Sequence, residues 1–347
     1  MTVRDPLPQT SVDPGPPRRR GRRWARWGLL AVGTLGALLA AETAVRLAVP
    51  VQVGPVFTEW DPVTGRRYKR RFAGTLTAPE FTAECYYNSA GRRGPEPPSS
   101  GTGCVLFLGD SYTDGVGVSN GEEYPALIRG ALERRYDAGV VPVVNAALSN
   151  SGNGRWIHEL RGPLADFSPR LVVLQLFRND FTDNIAEHLF TRIPAGGLKE
   201  HPPRPPGLKR RLQPVLDKIP GLNSSYLFAF LRQLAGSRRS GAPSDPQRSH
   251  VAARLTFAIV EEALSICRAR SWPTAIISIE IEGEDLASLR ALAGRFAAPI
   301  IEVQNRAARA DLYYPVDGHW NQAGHRFMAD LILESWLAPT SRYLEGL

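Results

Sequence analysis

The chain has 347 residues, of which 43% are hydrophobic and 22% are charged, and this composition is typical of a globular protein. Its three cysteines, Cys85, Cys104 and Cys267, form no C-x-x-C pair, which excludes a disulfide-stapled scaffold and a cysteine-rich zinc site. The net charge of +8 comes from two segments, because residues 1–26 carry +5 and residues 192–250 carry +8. The remainder carries 8 − 5 − 8 = −5, which argues against a nucleic-acid partner.

The N-terminus combines a basic tail with an apolar run. Residues 1–26 contain seven arginines, and residues 27–41 carry no charge. A helix over 27–49 has the length of about 20 residues needed to cross a bilayer, provided that Glu42 and Arg46 lie at the outer interface. A cleaved signal peptide is the alternative, although no A-x-A triplet follows the run. Both interpretations place the rest of the chain outside the cytoplasm. We therefore predict a single-pass membrane protein with a basic cytoplasmic tail (1–26) and a transmembrane anchor (27–49).

From residue 104 onward, short apolar runs alternate with amphipathic stretches, a pattern typical of a parallel sheet covered by helices. The predicted strands are 105–108, 141–145, 171–177, 274–281 and 299–303. The predicted helices are 124–136, 155–167, 251–270, 286–296 and 321–336. Right-handed crossovers between these strands give a three-layer α/β/α sandwich with a five-stranded parallel sheet, in which polar residues gather at the carboxyl ends of the strands.

Two segments do not follow this alternation. Residues 50–103 are rich in Gly, Pro and Thr and are expected to form an irregular lead-in to the domain 104–340. Residues 192–250 are an insertion between the third and fourth strands. Within the insertion, 222–234 predicts a helix capped by Asn223 or Ser224. A lid, a membrane-facing helix and an ordinary packed helix all remain open for it.

The first predicted strand ends in Gly109-Asp110-Ser111, which places a serine at the edge of the sheet where ligands bind. The nucleophile-elbow pattern G-x-S-x-G is not matched, because position 113 is Thr. Neither a phosphate-binding G-x-x-x-x-G-K-[ST] motif nor an H-E-x-x-H zinc motif is present, which argues against a nucleotide site and a zinc protease.

Further polar residues follow the next two strands and precede the last helix. Gly152 lies in a Gly-rich loop whose backbone N–H groups can approach a substrate closely. Asn179 can donate a hydrogen bond to a developing oxyanion. Asp317 lies two residues before His319, and His325 in the following helix is the rival base. A nucleophile, a base, an orienting acid and oxyanion donors are thus predicted on successive strand ends.

In this chain order, the segments around Ser111, Gly152, Asn179 and His319 resemble the four sequence blocks of the SGNH (GDSL-type) hydrolases. The resemblance covers about residues 104–340. In addition, the N-x-x-G-x-R-G pattern over residues 88–94 is similar to the segment before the first block in many membrane-anchored members.

The resemblance implies a flavodoxin-like sheet and a Ser111–His319–Asp317 triad that needs no metal or cofactor. It also implies an oxyanion hole formed by the backbone N–H groups of Ser111 and Gly152 and by the Asn179 side chain. Two extra residues separate Asn145 from the glycine of the second block, so Asn150 is an alternative to Gly152.

We therefore predict an extracytoplasmic serine esterase that hydrolyses an acyl ester, with acetyl as the first choice, of a glycan or a lipid. The predicted partners are this substrate and the membrane, without nucleic acid. Two alternatives remain open. The D-x-H spacing of Asp317 and His319 resembles that of the alginate O-acetylation proteins, so an O-acetyltransferase acting on a cell-envelope polysaccharide would use the same residues. The other alternative is a non-catalytic envelope binding module.

Overall fold

The computed structural model describes residues 20–137, 140–193, 196–237, 246–303 and 306–345. Clustering of contacts divides the chain into two compact units, Met1–Val49 and Pro50–Leu347. Helix α1 (Arg20–Ala48) forms the first unit, and its portion Trp24–Ala48 is long and apolar enough to cross a membrane. A signal sequence near the N-terminus has the same properties. Most of the basic tail predicted at 1–26 lies outside the described residues.

The second unit contains both strands and helices. Its strands are β1 (Thr58–Glu59), β2 (Arg67–Tyr68), β3 (Phe72–Ala78), β4 (Phe81–Tyr87), β5 (Val105–Leu108), β6 (Val143–Asn145), β7 (Leu171–Phe177), β8 (Phe190–Arg192), β9 (Leu198–Glu200), β10 (Thr274–Ile279) and β11 (Ile300–Val303). Its α-helices are α2 (Ser111–Asp114), α3 (Tyr124–Tyr136), α4 (Gly154–Arg161), α5 (Asp180–Glu187), α6 (Leu208–Leu216), α7 (Tyr226–Ser237), α8 (Pro246–Ala269), α9 (Gly283–Arg295) and α10 (Gln322–Ser335).

Five of these strands form a parallel sheet in the order β11-β10-β7-β5-β6. Counted along the chain, this is the flavodoxin-like order 2-1-3-4-5. The winding direction reverses between β5 and β7, and open α/β sheets bind their ligands at the carboxyl ends of the strands at such a reversal. The residues that follow β5 and β7 therefore occupy the position where chemistry is expected.

The sheet is buried on both faces. Val105 and Phe107 of β5 pack with α3 and α10, whereas Leu106 and Leu108 pack with α4, α8 and α9 on the other face. Strands covered on both faces read as continuous apolar runs, which explains why β5, β6, β7 and β10 could be predicted from the sequence. The edge strand β11 is only partly covered, and its Glu302 is exposed. The predicted three-layer sandwich is confirmed, and each of the five strands begins and ends within two residues of its predicted position.

Some helix boundaries were wrong. The helix predicted over 155–167 ends at Arg161, because Gly162 and Pro163 interrupt it. The helix predicted from 251 begins five residues earlier, at Pro246. Proline is well tolerated at the first position of a helix, where its missing N–H would have no partner in any case.

The segment 50–103 was expected to be irregular, whereas the structure has two antiparallel strand pairs there, β1–β2 and β3–β4. In β4, buried and exposed residues alternate strictly over Phe81–Tyr87. This period of two is hard to recognise in the sequence because two of the inward positions are the small residues Ala83 and Cys85, while an outward position is Tyr86.

The described parts of the insertion 192–250 contain a short strand pair, β8–β9, and the helices α6 and α7. Residues 222–224 form a 3₁₀ turn rather than the start of the predicted helix. Helix α7 follows, and the Phe228 backbone N–H donates to the hydroxyl of Ser225 (3.1 Å). Ser225 is therefore the cap, not Asn223 or Ser224. The stretches 194–195 and 238–245 lie outside the described residues.

Candidate active site

Ser111 is the first residue of the one-turn helix α2, directly after the buried strand β5. The Asp110 carboxylate caps this turn by accepting a hydrogen bond from the Tyr112 backbone N–H (3.0 Å). Gly115 closes the turn in the left-handed region (φ 88°), where its N–H donates to the Ser111 carbonyl. These contacts hold the serine at the carboxyl end of the strand, with 8% of its surface exposed.

Gly109 is required for close packing at the same point. A Cβ atom at this position would lie 2.3 Å from the Thr113 hydroxyl and 2.5 Å from the Gln175 side-chain oxygen. That oxygen accepts hydrogen bonds from the Asp110 backbone N–H (3.1 Å) and the Thr113 hydroxyl (2.8 Å). Glycine is thus the residue that fits at position 109, against the buried Gln175 of β7.

His319 lies between the serine and an aspartate. Its Nε2 is 2.8 Å from the Ser111 hydroxyl, and its Nδ1 is 2.5 Å from Oδ1 of Asp317. An ionised carboxylate can only accept hydrogen bonds, so Nδ1 carries the hydrogen and Nε2 accepts from the serine. The structure thus brings the three predicted residues into one continuous hydrogen-bonded series.

Gly318 makes the short spacing between Asp317 and His319 possible. Its φ of 90° lies in the left-handed region, which lets the chain turn so that the carboxylate reaches the imidazole two residues away. Its carbonyl accepts a hydrogen bond from the Tyr112 hydroxyl (3.1 Å). The Tyr112 ring also packs beside the His319 ring at a centroid distance of 5.3 Å. Tyr112 therefore joins the serine turn to the histidine loop.

The rival base, His325, belongs to the core. It is 1% exposed, and its Nδ1 accepts a hydrogen bond from the Tyr124 backbone N–H (3.3 Å). Burial lowers the pKa of His325 to about 3, and nearby positive charge on Arg93 and His319 adds to this effect. A neutral histidine bonded to Tyr124 supports α10 rather than deprotonating Ser111.

Two residues from the lead-in segment hold the aspartate. The Gln52 side-chain amide donates to Oδ2 of Asp317 (2.6 Å). The Glu80 carboxylate accepts from the backbone N–H groups of Asp317 (2.7 Å) and Val316 (3.0 Å). Burial would raise the pKa of Asp317, but the hydrogen bond and charge of His319 and the hydrogen bond from Gln52 shift this pKa downward overall. The carboxylate is thus kept ionised beside the imidazole.

Asn179 lies after β7, at the start of α5, and its side-chain amide donates to the Asp183 carboxylate (3.1 Å). Burial raises the pKa of Asp183, and the Arg66 guanidinium opposes this shift. The amide nitrogen of Asn179 carries two hydrogens, and the bond to Asp183 uses one of them.

The loop that follows β6 contains Gly152 and Asn150, the two candidates for the third predicted oxyanion donor. A Cβ on Gly152 would lie 2.5 Å from the Asn184 side-chain oxygen, so α5 leaves no room for a side chain. Asn150, the alternative at this position, has a left-handed φ of 56°, a conformation that glycine adopts most readily.

Two buried carboxylates lie beneath the site. Burial raises the pKa of Asp110 to about 6, although the Tyr112 N–H and the positive charge of His319 oppose the rise. Burial and the neighbouring Asp110 raise the pKa of Asp180 well above its usual range. Asp180 accepts a hydrogen bond from the Phe177 backbone N–H (2.8 Å), so its role is to start α5 after β7.

The lead-in segment also supports the serine turn. Arg93, from the N-x-x-G-x-R-G pattern, donates to the backbone carbonyls of Asp114 and Gly115 (both 2.7 Å) at the end of α2. The buried Asp114 carboxylate accepts from the hydroxyls of Tyr68 and Ser149 (both 2.7 Å). The pattern around Arg93 was visible in the sequence, but nothing in the sequence predicted which residues Arg93 contacts.

No protein-family model matches the sequence, and a search of the curated proteins finds no match. Among solved structures, the chain is similar to the psychrotrophic esterase EstA from Pseudoalteromonas sp. (14% identity, TM-score 0.40, 67% of this chain and 95% of that chain). It is also similar to a catalytic mutant of Axe2, an acetylxylan esterase from Geobacillus stearothermophilus (15% identity, TM-score 0.40, 68% of this chain and 94% of that chain). A third similar structure is that of a putative GDSL-like lipase from Parabacteroides merdae (15% identity, TM-score 0.39, 69% of this chain and 98% of that chain). Similarity at this level is too low to assign a function, which has to be argued from the side chains.

The remaining groups that could carry chemistry are candidate metal ligands and cysteine thiols. None of the described His, Cys, Asp and Glu residues form a group of three that could hold a metal ion. Cys85, Cys104 and Cys267 are unpaired and buried, and burial raises the pKa of each thiol. A buried thiol with a raised pKa is a poor nucleophile, which leaves Ser111 as the nucleophile best supported by its contacts.

Proposed function

We propose that this protein is a serine esterase in which Ser111 is the nucleophile, His319 the general base and Asp317 the residue that orients the histidine. The observation that carries the proposal is the series Ser111 Oγ to His319 Nε2 (2.8 Å) and His319 Nδ1 to Asp317 Oδ1 (2.5 Å) at the carboxyl ends of the sheet. This arrangement of nucleophile, base and orienting acid activates a hydroxyl whose free pKa is otherwise too high for attack.

The reaction proceeds in two steps. Ser111 Oγ attacks the ester carbonyl carbon while its proton moves to His319 Nε2, and the tetrahedral intermediate then expels the alcohol, which takes that proton. Water attacks the resulting acyl-serine, His319 accepts a proton from the water, and the carboxylic acid leaves as the proton returns to Ser111. Asp317 keeps the imidazole in the required tautomer and stabilises its positive charge.

The developing oxyanion requires donors that are already in place. We assign the Ser111 backbone N–H and the second hydrogen of the Asn179 amide to this role. Gly152 and Asn150 are the two candidates for a third donor. The left-handed backbone of Asn150 (φ 56°), a conformation that glycine adopts most readily, favours Asn150.

We further propose that α1 anchors the enzyme, with Pro50–Leu347 on the extracytoplasmic side and the arginines of the tail in the cytoplasm. The substrate class that we propose is an acyl ester, first of all an acetyl ester, of a glycan or lipid of the cell envelope. Full-length protein should remain in the membrane fraction after alkaline carbonate extraction. An N-terminus near residues 42–50 in protein recovered from cells would show cleavage of a signal peptide instead.

The catalytic assignment is tested with Ser111→Ala and His319→Ala. Each variant should lose at least about 10³-fold in kcat on a short acetyl ester, because the nucleophile or its base is gone, and should keep the wild-type melting temperature. Ser100→Ala, at an exposed serine, is the matched control and should keep full activity. Wild-type turnover in either test variant would refute the proposal. Including an oligosaccharide acceptor in the assay measures acetyl transfer alongside hydrolysis.

A further inference from the structure

Helix α6 (Leu208–Leu216) presents its apolar side chains to the outside. Leu208, Leu212, Val215 and, in the turn that follows, Ile219 are each between 46% and 72% exposed. At 100° per residue, the four positions fall within a sector of about 60°, so they form one stripe along the helix. We call these four residues the α6 stripe.

The side of α6 that faces the rest of the unit is largely polar. Gln213 donates to the Asp217 carboxylate (2.7 Å), which also accepts from the Lys69 ammonium group (2.7 Å). Gln213, Leu216 and Asp217 are all partly buried, whereas the stripe is exposed. A helix on the surface of a globular protein normally does the opposite and turns its apolar stripe toward the core. The inverted arrangement leaves an apolar surface available for a partner.

Positive charge borders the stripe on one side. Residues 204–218 contain five Lys or Arg and a single acid, Asp217. Arg211 and Lys218 are exposed and lie on one side of the stripe, about 70–90° from its centre on the helix surface. An apolar face flanked by cations is the pattern of helices that lie in the interface of an anionic bilayer, where the apolar side chains enter the acyl region and the cations contact headgroups.

Contact with a lipid surface would also stabilise α6 itself. It has nine residues, contains Pro214 in its interior and has no side-chain hydrogen bond at its N-terminal cap. Helices of this length are marginal in water, and an interior proline removes one backbone hydrogen bond. Contact of the α6 stripe with lipid would therefore stabilise the helix as well as place it.

We propose that α6 is an interfacial helix that lies on an anionic lipid surface, with the α6 stripe in the acyl region and Arg211 and Lys218 at the headgroups. This interaction is separate from the catalytic chemistry proposed above. It would hold the insertion against the membrane from which an envelope substrate is reached. The Ser111→Ala variant, which lacks esterase activity, should therefore still bind the lipid surface through α6.

The test uses the full chain in lipid nanodiscs with an environment-sensitive fluorophore on a single introduced cysteine. Cys85, Cys104 and Cys267 are buried and react poorly, so labelling is confined to the new site. Val215→Cys reports on the stripe, and Asp330→Cys, at an exposed position of α10, is the matched control. The fluorophore at position 215 should be quenched by nitroxide-labelled acyl chains in discs that contain phosphatidylglycerol, whereas the control should not be.

Charge removal gives the second measurement. Arg211→Gln and Lys218→Gln should each lower the ratio of lipid-inserted to free α6 about fivefold, because one basic residue near an anionic surface is worth about that factor. Absence of quenching at 215 in every lipid would overturn the proposal. Equal quenching in pure phosphatidylcholine discs would also overturn it, because anionic lipid would not be the partner. So would a spectral shift that depends on protein concentration instead of lipid, which would indicate self-association.

Discussion

The serine and the histidine–aspartate pair are held in different ways. Ser111 is fixed by buried contacts around its own turn, from Asp110, Gly115 and the neighbouring strand β7. Asp317 is held from a distance in sequence, by Gln52 and Glu80, across 265 and 237 positions of the chain. The serine arm of the proposed triad is therefore held mainly by the sheet, with added support from Arg93 at the end of its turn, whereas the side chain of Asp317 is held by the segment that follows α1. Substitutions on the two sides should therefore differ in what they change.

The largest effect is expected at the acid itself. Asp317→Asn should lower kcat on a short acetyl ester by about 10⁴, because an amide at this position can hold the imidazole in the wrong tautomer. Melting temperature should stay within a few degrees of the wild type. A loss of less than tenfold would mean that Asp317 does not orient His319, so that the contacts of Gln52 and Glu80 with Asp317 would not support catalysis.

On the sheet side, Asn179→Ala should lower kcat by about 10²–10³, the usual consequence of removing one oxyanion donor. KM should change little, because the donor acts mainly when the oxyanion forms. Asp183→Asn is the matched control, since an Asn at 183 still offers an oxygen to the Asn179 amide. An unchanged kcat in Asn179→Ala would move the oxyanion donors elsewhere.

A smaller effect is expected from the lead-in segment. Gln52→Ala removes one of the hydrogen bonds that lower the pKa of Asp317, so this pKa should rise. Activity that requires the ionised carboxylate should then be lost at a higher pH as the solution is acidified, and kcat at pH 7 should fall about tenfold, the value of one hydrogen bond to a charged group.

Gln213→Ala removes a glutamine that donates to a different aspartate, Asp217, and provides the matched control for Gln52. It should leave the acid limb of kcat/KM unchanged. A general loss of stability would lower activity at every pH without moving this limb, so the pH profile separates positioning from folding. An identical acid limb in Gln52→Ala and the wild type would show that Asp317 does not depend on the lead-in segment.

The smallest effect concerns stability on the serine side. Burial raises the pKa of Asp110 to about 6, above its unfolded value, so the folded state binds the proton more tightly. The stabilisation that this proton provides is fully present below about pH 4 and is lost as the pH rises through 6. Asp110→Asn should therefore raise the melting temperature by a few degrees at pH 7 and very little at pH 4. A lower melting temperature at pH 7 would contradict this account.

Sequence patterns predicted the sheet, and the position of Ser111 at its edge, for a physical reason. Strands buried on both faces are continuous apolar runs, and glycine is required at position 109 because Thr113 and Gln175 leave no space for a side chain there. The flavodoxin-like order then places Asn179 at the same edge of the sheet. These are consequences of local sequence and of general rules for parallel sheets.

The supports of Asp317 could not be predicted in this way. Gln52 and Glu80 lie in a segment without a strong pattern, and their contacts depend on how that segment folds over the sheet edge. The alternation of buried and exposed residues in β4 was the one available signal, and it places Glu80 directly before a strand. The exposure of the α6 stripe could not be predicted from the sequence either, because its apolar residues have the spacing of an ordinary packed helix.

Covalent labelling with a fluorophosphonate, followed by peptide mapping, shows whether His319 activates Ser111. We expect one label per chain on Ser111, no label in Ser111→Ala, and labelling slowed by several orders of magnitude in His319→Ala. Gln52→Ala should label at an intermediate rate. Labelling of a different serine, or equal labelling of the wild type and Ser111→Ala, would contradict the assignment of Ser111 as the nucleophile.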